Sequence, residues 1–204
     1  MKLDTDRSFS SELQSLVAAT NARQSASHAV GRLWACDHRL WKEDPTDITN
    51  RLGWLTILEY MKDRTEELRT FATSAKKRGI RDVVLLGMGG SSLGPEVLRA
   101  SFGSLHGFPR LWVLDSTVPG WVRQVTRAID PARSLFILAS KSGGTIEVMS
   151  LFAHFWEMVH QAPAHQGGEH FLANTDPGTG LEKLAAEHQF WRIFTNPPDI
   201  GGRY

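Results

Sequence analysis

Apolar residues change rhythm near residue 80 of this 204-residue chain. Before that point they recur at helical spacing. Leu52, Leu55, Leu58, Met61, Leu68, Phe71 and Ala75 fall three, four or seven positions apart, which places them on one helix face. Asp47 or Thr49, following the break at Pro45, is the expected N-cap of this helix, and Gly79 its expected end. Further upstream, Leu13, Leu16 and Val17 predict another helix, with Ser11 and Gln14 forming a capping box. A second apolar stretch, Val30, Leu33 and Trp34, continues to Leu40 and Trp41.

After Gly79, short continuous apolar runs alternate with helix-length segments. The runs cover 83–86, 111–114, 135–139, 170–173 and 191–194. Continuous apolar strands separated by helices predict a parallel sheet covered on both faces. Right-handed crossovers then bring every carboxyl end to one edge, where ligands bind in open sheets. The chain is thus expected to hold an N-terminal helical extension over 1–79 and an α/β domain over 80–204.

Composition narrows the class. At 41% hydrophobic and 22% charged, the chain can bury a core. A net charge of +1 argues against a nucleic-acid surface. The basic cluster Lys76-Lys77-Arg78 suits the C-terminal end of a helix, where cations meet the negative dipole end. Cys36 is the only cysteine, so no internal disulfide or cysteine zinc site is available, as expected of a cytoplasmic protein. No apolar stretch approaches the roughly 20 residues of a membrane helix, and no signal peptide is expected. His160, His165 and His170 share no helical face, so neither a metal nor a cofactor is expected. The seven tryptophans read as core or domain contacts.

The loops after the strands carry the chemistry. The first reads Gly87-Met88-Gly89-Gly90-Ser91-Ser92-Leu93-Gly94-Pro95. Ser92 stands where a dinucleotide fingerprint needs its last glycine. Pro95 and Glu96 stand where a Walker loop needs Lys and Ser or Thr. The glycines and Ser91 still suit close backbone approach to a small ligand, or a plain strand–helix turn. Asp115 could hold sugar hydroxyls or cap the next helix. The third loop, Ser140-Lys141-Ser142-Gly143-Gly144-Thr145, joins an apolar run to a helical pattern. Hydroxyls, a lysine and two glycines at a helix start suit a phosphate better than they suit a bare cap. Asn174-Thr175-Asp176-Pro177-Gly178-Thr179-Gly180 reads as a structural turn, with Thr179 capping the helix from Leu181. Arg203 follows Gly201 and Gly202 just beyond the last strand, where it can meet an anionic oxygen.

Together, Gly87 to Pro95, Ser140 to Thr145 and Gly201-Gly202-Arg203-Tyr204 resemble the phosphoglucose isomerase family, in that family's order. Trp34 through Trp41, Asp44-Pro45-Thr46, Leu114 to Pro119 and Asn196 to Arg203 resemble the isomerase part of bacterial bifunctional transaldolase/phosphoglucose isomerases. The resemblance implies a flavodoxin-like sugar-isomerase domain with a sheet of about five parallel strands between helices. It implies glucose 6-phosphate and fructose 6-phosphate as ligands. It implies that Ser140, Lys141, Ser142 and Thr145 bind the phosphate and that Gly90 and Ser91 contact the sugar. Arg203 would be catalytic, stabilising an enediolate, and Glu147 would orient a ring-opening group behind the site. Gly143 and Gly144 replace a bulkier threonine-rich centre in the family's loop, which shifts weight to backbone N–H groups.

Aldose–ketose isomerisation needs a base between adjacent carbons. In the family that base, with a histidine and a lysine, lies beyond the arginine motif and partly in a second sugar-isomerase domain. The expectation is therefore an N-terminal portion of a glucose-6-phosphate isomerase that binds sugar phosphate and lacks the catalytic base. Its expected partners are the missing C-terminal sugar-isomerase domain and, by the family's habit, a second copy in a homodimer. The alternatives are a non-catalytic sugar-phosphate-binding sensor or regulatory module, and a nucleotide-binding oxidoreductase half, which Ser92 and the position of Asp115 disfavour.

Overall fold

A computed structural model describes residues 10–161 and 167–201. The expected helices form, with shifted starts. Ser10, one position earlier than expected, caps α1 (Ser11–Ala26), its Oγ accepting the Leu13 N–H at 3.3 Å. An N-cap needs non-helical backbone, and Ser10 has it (φ −55°, ψ 151°), whereas Ser11 is already helical. Helix α2 (Ala29–Trp34) follows. The long helix α3 begins only at Ile57 and runs to Lys77. Ahead of it, Thr49–Arg51 and Gly53–Leu55 form separate 3₁₀ turns. Tertiary contacts override the helical spacing there. Leu52 bridges Ile200 in antiparallel fashion, and the Gly53 N–H donates to Asp199 O at 2.9 Å. At the other end Gly79 takes φ 76°. Its N–H donates to Lys76 O at 3.0 Å and the Ile80 N–H to Ala75 O at 3.2 Å, the paired closure of a Schellman cap.

All five apolar runs are strands: β1 (Asp82–Gly87), β2 (Arg110–Leu114), β3 (Ser134–Ala139), β4 (Phe171–Thr175) and β5 (Arg192–Thr195). They form one sheet in the order β2-β1-β3-β4-β5, every neighbouring pair parallel. This is the α/β, flavodoxin-like order. The connecting helices are α4 (Gly90–Phe102), α5 (Pro119–Ala128), α6 (Ile146–Gln161) and α7 (Gly180–Glu187). Asp82 is buried at the start of β1, where its carboxylate accepts Arg110 Nε–H at 3.0 Å and Trp112 Nε1–H at 2.9 Å. Those bonds satisfy a charge that would otherwise be costly to bury.

The two faces of the sheet are covered unequally. On one, Val84, Leu86, Phe136, Leu138, Phe171 and Ala173 are buried against Val125 of α5, Val148, Phe152 and Phe155 of α6, and Leu181 of α7. On the other, the buried cluster is Leu85, Val113 and Ala139, with Leu111 and Ile137 partly covered. Helix α3 reaches this second side mainly at its β5 edge. Phe71 packs on Trp191 (4.7 Å between centroids) and Phe194 (5.5 Å), Glu67 pairs with Arg192, and the Tyr60 hydroxyl donates to Thr195 O at 3.3 Å. A groove of ≈ 500 Å³ remains between α3 and the sheet, with Met61, Phe71, Ile137, Leu172 and Phe194 among its walls. Trp34, Trp41 and Trp54 are exposed, so of the two expected roles, core or domain contact, these three do not take the first. Among the described residues no helix is long and apolar enough to cross a membrane.

Phe136 has 0% exposure and stacks on Phe155 (4.7 Å) and Phe171 (5.2 Å). Phe136→Ala is expected to cost about 3–5 kcal/mol in urea unfolding. Phe102→Ala, at a side chain 82% exposed, should change stability by less than about 0.5 kcal/mol.

Candidate functional site

The strand order reverses direction between β1 and β3, since β2 lies outside β1 while β3, β4 and β5 run the other way. Loops diverge at such a switch point and leave a crevice at the carboxyl edge. Here the crevice has a volume of ≈ 540 Å³ and is lined by residues following β1, β3 and β4. Met88 and Ser91 come from the first connection, Ser140, Lys141, Ser142 and Thr145 from the second, and Asp176, Pro177 and Thr179 from the third. The structure thus gathers all four residues expected to hold phosphate, together with Ser91. Gly90 lies beside them in the wall of the adjoining apolar groove. Glu147 is exposed in the first turn of α6 and is not among the residues lining the cleft. Arg203 lies outside the described residues.

The 140–145 loop is held from below by buried hydroxyls. The Ser140 N–H donates to Asn174 O at 3.0 Å, continuing the β3–β4 ladder by one bond. Thr175, fully buried, donates its hydroxyl to Ser140 O at 2.7 Å and shares a 2.9 Å contact with the Thr179 hydroxyl. Ser140 itself is 4% exposed, and its hydroxyl meets that of Thr145 at 2.8 Å. The first-turn N–H groups of α6, which have no carbonyl in a preceding turn, follow directly. Gly143 is required on two grounds. Its φ is 69°, and a Cβ there would lie 2.6 Å from Thr179 Cβ and 3.0 Å from Leu181 N. Gly144 has neither constraint. A rigid turn, exposed Ser142 and the N-terminus of α6 together form a donor-lined cradle whose chemistry suits an anion.

Lys141 completes the cradle in an unexpected way. Its ammonium pairs with Asp176 and also donates to Pro198 O at 3.4 Å. The loop after β4 was expected to be structural, and Thr179 does cap α7, accepting the Glu182 N–H at 3.2 Å. The same loop also brings a carboxylate to the lysine. Asp-Pro-Gly is a strong turn signal and hides this second role; a carboxylate one residue past a strand end on the binding edge was the available clue. Asp115 is exposed and is not among the residues lining either cavity. The Val118 N–H at the start of α5 is accepted by Ser116 Oγ at 3.1 Å, not by Asp115. Ser92, which breaks the dinucleotide fingerprint, is buried and donates to Gly89 O at 3.0 Å, so its hydroxyl locks the turn. His160 and His170 donate to Trp156 O (2.8 Å) and Ser134 O (2.9 Å); His165 lies outside the described residues.

The family model described as phosphoglucose isomerase matches residues 10–204. A glucose-6-phosphate isomerase of Thermus thermophilus is 32% identical over 154 residues, covering 75% of this chain and 36% of that protein. One from Citrifermentans bemidjiense is 27% identical over 202 residues, covering 94% of this chain and 36% of that protein. The chain therefore spans just over a third of the length of these relatives. Among solved structures, a hypothetical protein from Thermus thermophilus superposes with a TM-score of 0.72 at 28% identity, over 91% of this chain and 42% of that one. A glucose-6-phosphate isomerase from Chlamydia trachomatis gives 0.63 at 27% identity, over 80% of this chain and 30% of that one.

Gly143→Ala is expected to lower stability by about 1–3 kcal/mol through strain and the clash with Thr179. Gly144→Ala should cost less than about 1 kcal/mol. Paired urea titrations check the difference.

Proposed function

The chain belongs to the phosphoglucose isomerase family, and from that premise we propose that it supplies the phosphate- and sugar-binding part of a cytoplasmic glucose-6-phosphate isomerase. The observation that carries this reading is the shared cleft, where the loops after β1 and β3 meet with Ser91, Ser140, Lys141, Ser142 and Thr145 on its walls. Substrates are glucose 6-phosphate and fructose 6-phosphate. Their phosphate takes hydrogen bonds from the hydroxyls of Ser142 and Thr145 and from the first N–H groups of α6, with charge from Lys141. Ser140, buried and bonded to Thr145, acts mainly by fixing that hydroxyl. Gly90 and Ser91 lie at the start of α4, beside the phosphate cradle, and contact the sugar. On this reading Arg203 stabilises the enediolate, Glu147 orients the ring-opening group from outside the cleft, and no cofactor takes part.

Moving a proton between C1 and C2 requires a base close to both carbons. The carboxylate in the cleft, Asp176, is engaged by Lys141 and lies at the phosphate end. The relatives named glucose-6-phosphate isomerase are much longer than this chain, and we assign the base to sequence of the kind that fills the rest of their length. Partners on this reading are a second sugar-isomerase domain and a second copy of the protein. Residues 1–79 serve as a helical lead-in to the α/β unit of 80–204.

Calorimetric titration of the 204-residue chain tests this. Fructose 6-phosphate should bind saturably, with Lys141→Ala weakening it by about tenfold, and NAD should not bind. A coupled assay should show no interconversion of the two sugar phosphates. Saturable NAD binding without sugar-phosphate binding would overturn the assignment, and robust turnover would overturn the placing of the base elsewhere.

A further inference from the structure

We propose that Asp176 is an internal counterion that competes with an incoming phosphate for Lys141, and so sets the affinity of the cleft for anions. The inference rests on the phosphate reading of the 140–145 loop. Three neighbouring strand ends fix the carboxylate. The Asp176 N–H donates to Lys141 O at 3.3 Å, in the loop after β3. One carboxylate oxygen accepts from the Lys141 ammonium, and the other from Asn196 Nδ2 at 3.5 Å, just past β5. Asn196 is in turn tied to β4, its N–H donating to Thr175 O at 2.9 Å. The Asp176 side chain keeps only 15% exposure, against 35% for Lys141. The acid is therefore the more firmly anchored member of the pair. The lysine is more exposed, and among the described residues its ammonium is held, besides Asp176, only by a long 3.4 Å bond to Pro198 O.

Both side chains line the ≈ 540 Å³ cleft, so an anion entering it meets a carboxylate as well as an ammonium. To gain the ammonium it must draw Lys141 from Asp176, and it feels repulsion from the carboxylate throughout. The penalty falls equally on inorganic phosphate and on a sugar phosphate. Only the sugar phosphate has further contacts, on Gly90 and Ser91, with which to offset it. The pair thereby lowers the cleft's occupancy by small anions while leaving a useful affinity for a ligand that carries a sugar; the ratio of the two affinities is set by the sugar contacts, not by the pair. A purely structural ion pair would behave oppositely, because removing Asp176 would loosen Lys141 and weaken anion binding.

The test is titration of sulfate and of fructose 6-phosphate into the 204-residue chain and into Asp176→Asn, Lys141→Ala and the double variant. Asp176→Asn should bind both anions about three- to tenfold more tightly, and the gain should vanish in the Lys141→Ala background. Asp176→Ser provides a second neutral variant if the amide perturbs folding. In the unmodified protein, the Lys141 ammonium resonance of ¹⁵N-lysine-labelled chain should move on saturation with sulfate. Sulfate binding that Lys141→Ala weakens but neutral variants leave unchanged or weaker, or a Lys141 resonance unmoved at saturation, overturns the inference alone. Failure of the unmodified chain and every variant to bind either anion overturns the phosphate reading, and this inference with it.

Discussion

Strands β1 and β3 pair directly, in register from Asp82↔Ser134 to Gly87↔Ala139, and the cleft exists because of that pairing. Sequence separates the two strands by a helix, an entire strand and another helix. Once β2 is placed outside β1, the connections leaving β1 and β3 have no strand between them. The two connections leave in opposite directions, and the crevice opens between loops that start about one strand spacing apart, roughly 5 Å. Parallel pairing matters as much as adjacency. It brings both carboxyl ends to the same edge, so each loop enters a helix by its N-terminus and the two positive dipole ends add.

The second constraint lies one strand further on. Thr175 and Thr179 commit their hydroxyls to the floor of the 140–145 loop, not to ligand. A buried hydroxyl without a partner is costly, so this network is stable in one arrangement. The close fit of Gly143 against Thr179 follows from it. A cradle made largely of backbone N–H groups needs such a floor, because backbone donors cannot adjust by rotating a side chain. Gly143 is thus what permits the close packing between the loops after β3 and β4.

Much of this was legible in the sequence, for an identifiable reason. Strands 82–87 and 134–139 are buried along nearly their whole length, so they carry short continuous apolar runs, and their regular alternation with helix-length segments marks them as strands. The residues of 140–145 that line the cleft fall in one short stretch and read as one motif. Signals failed where distant contacts decided. Two adjacent serines are chemically equal as caps, and only the path of the chain chooses Ser10. Leu52 and Gly53 fit the helical rhythm, yet their partners Ile200 and Asp199 arrive from the far end of the described chain. Asp176 finds Lys141 at 35 positions' separation, a pairing that no local pattern records.

The adjoining groove limits where a sugar can sit. Ser91, Lys141 and Asp176 line both cavities, so the groove adjoins the cleft at these three residues. Its apolar walls, Phe71 and Leu172 among them, offer no partners to hydroxyl groups, and each unpaired hydroxyl buried there would cost about 1–3 kcal/mol. Near the strand ends the lining changes to Asn174, Thr195 and Asn196. On the proposed reading the sugar therefore stays at this polar junction, between Ser91 and the two asparagines.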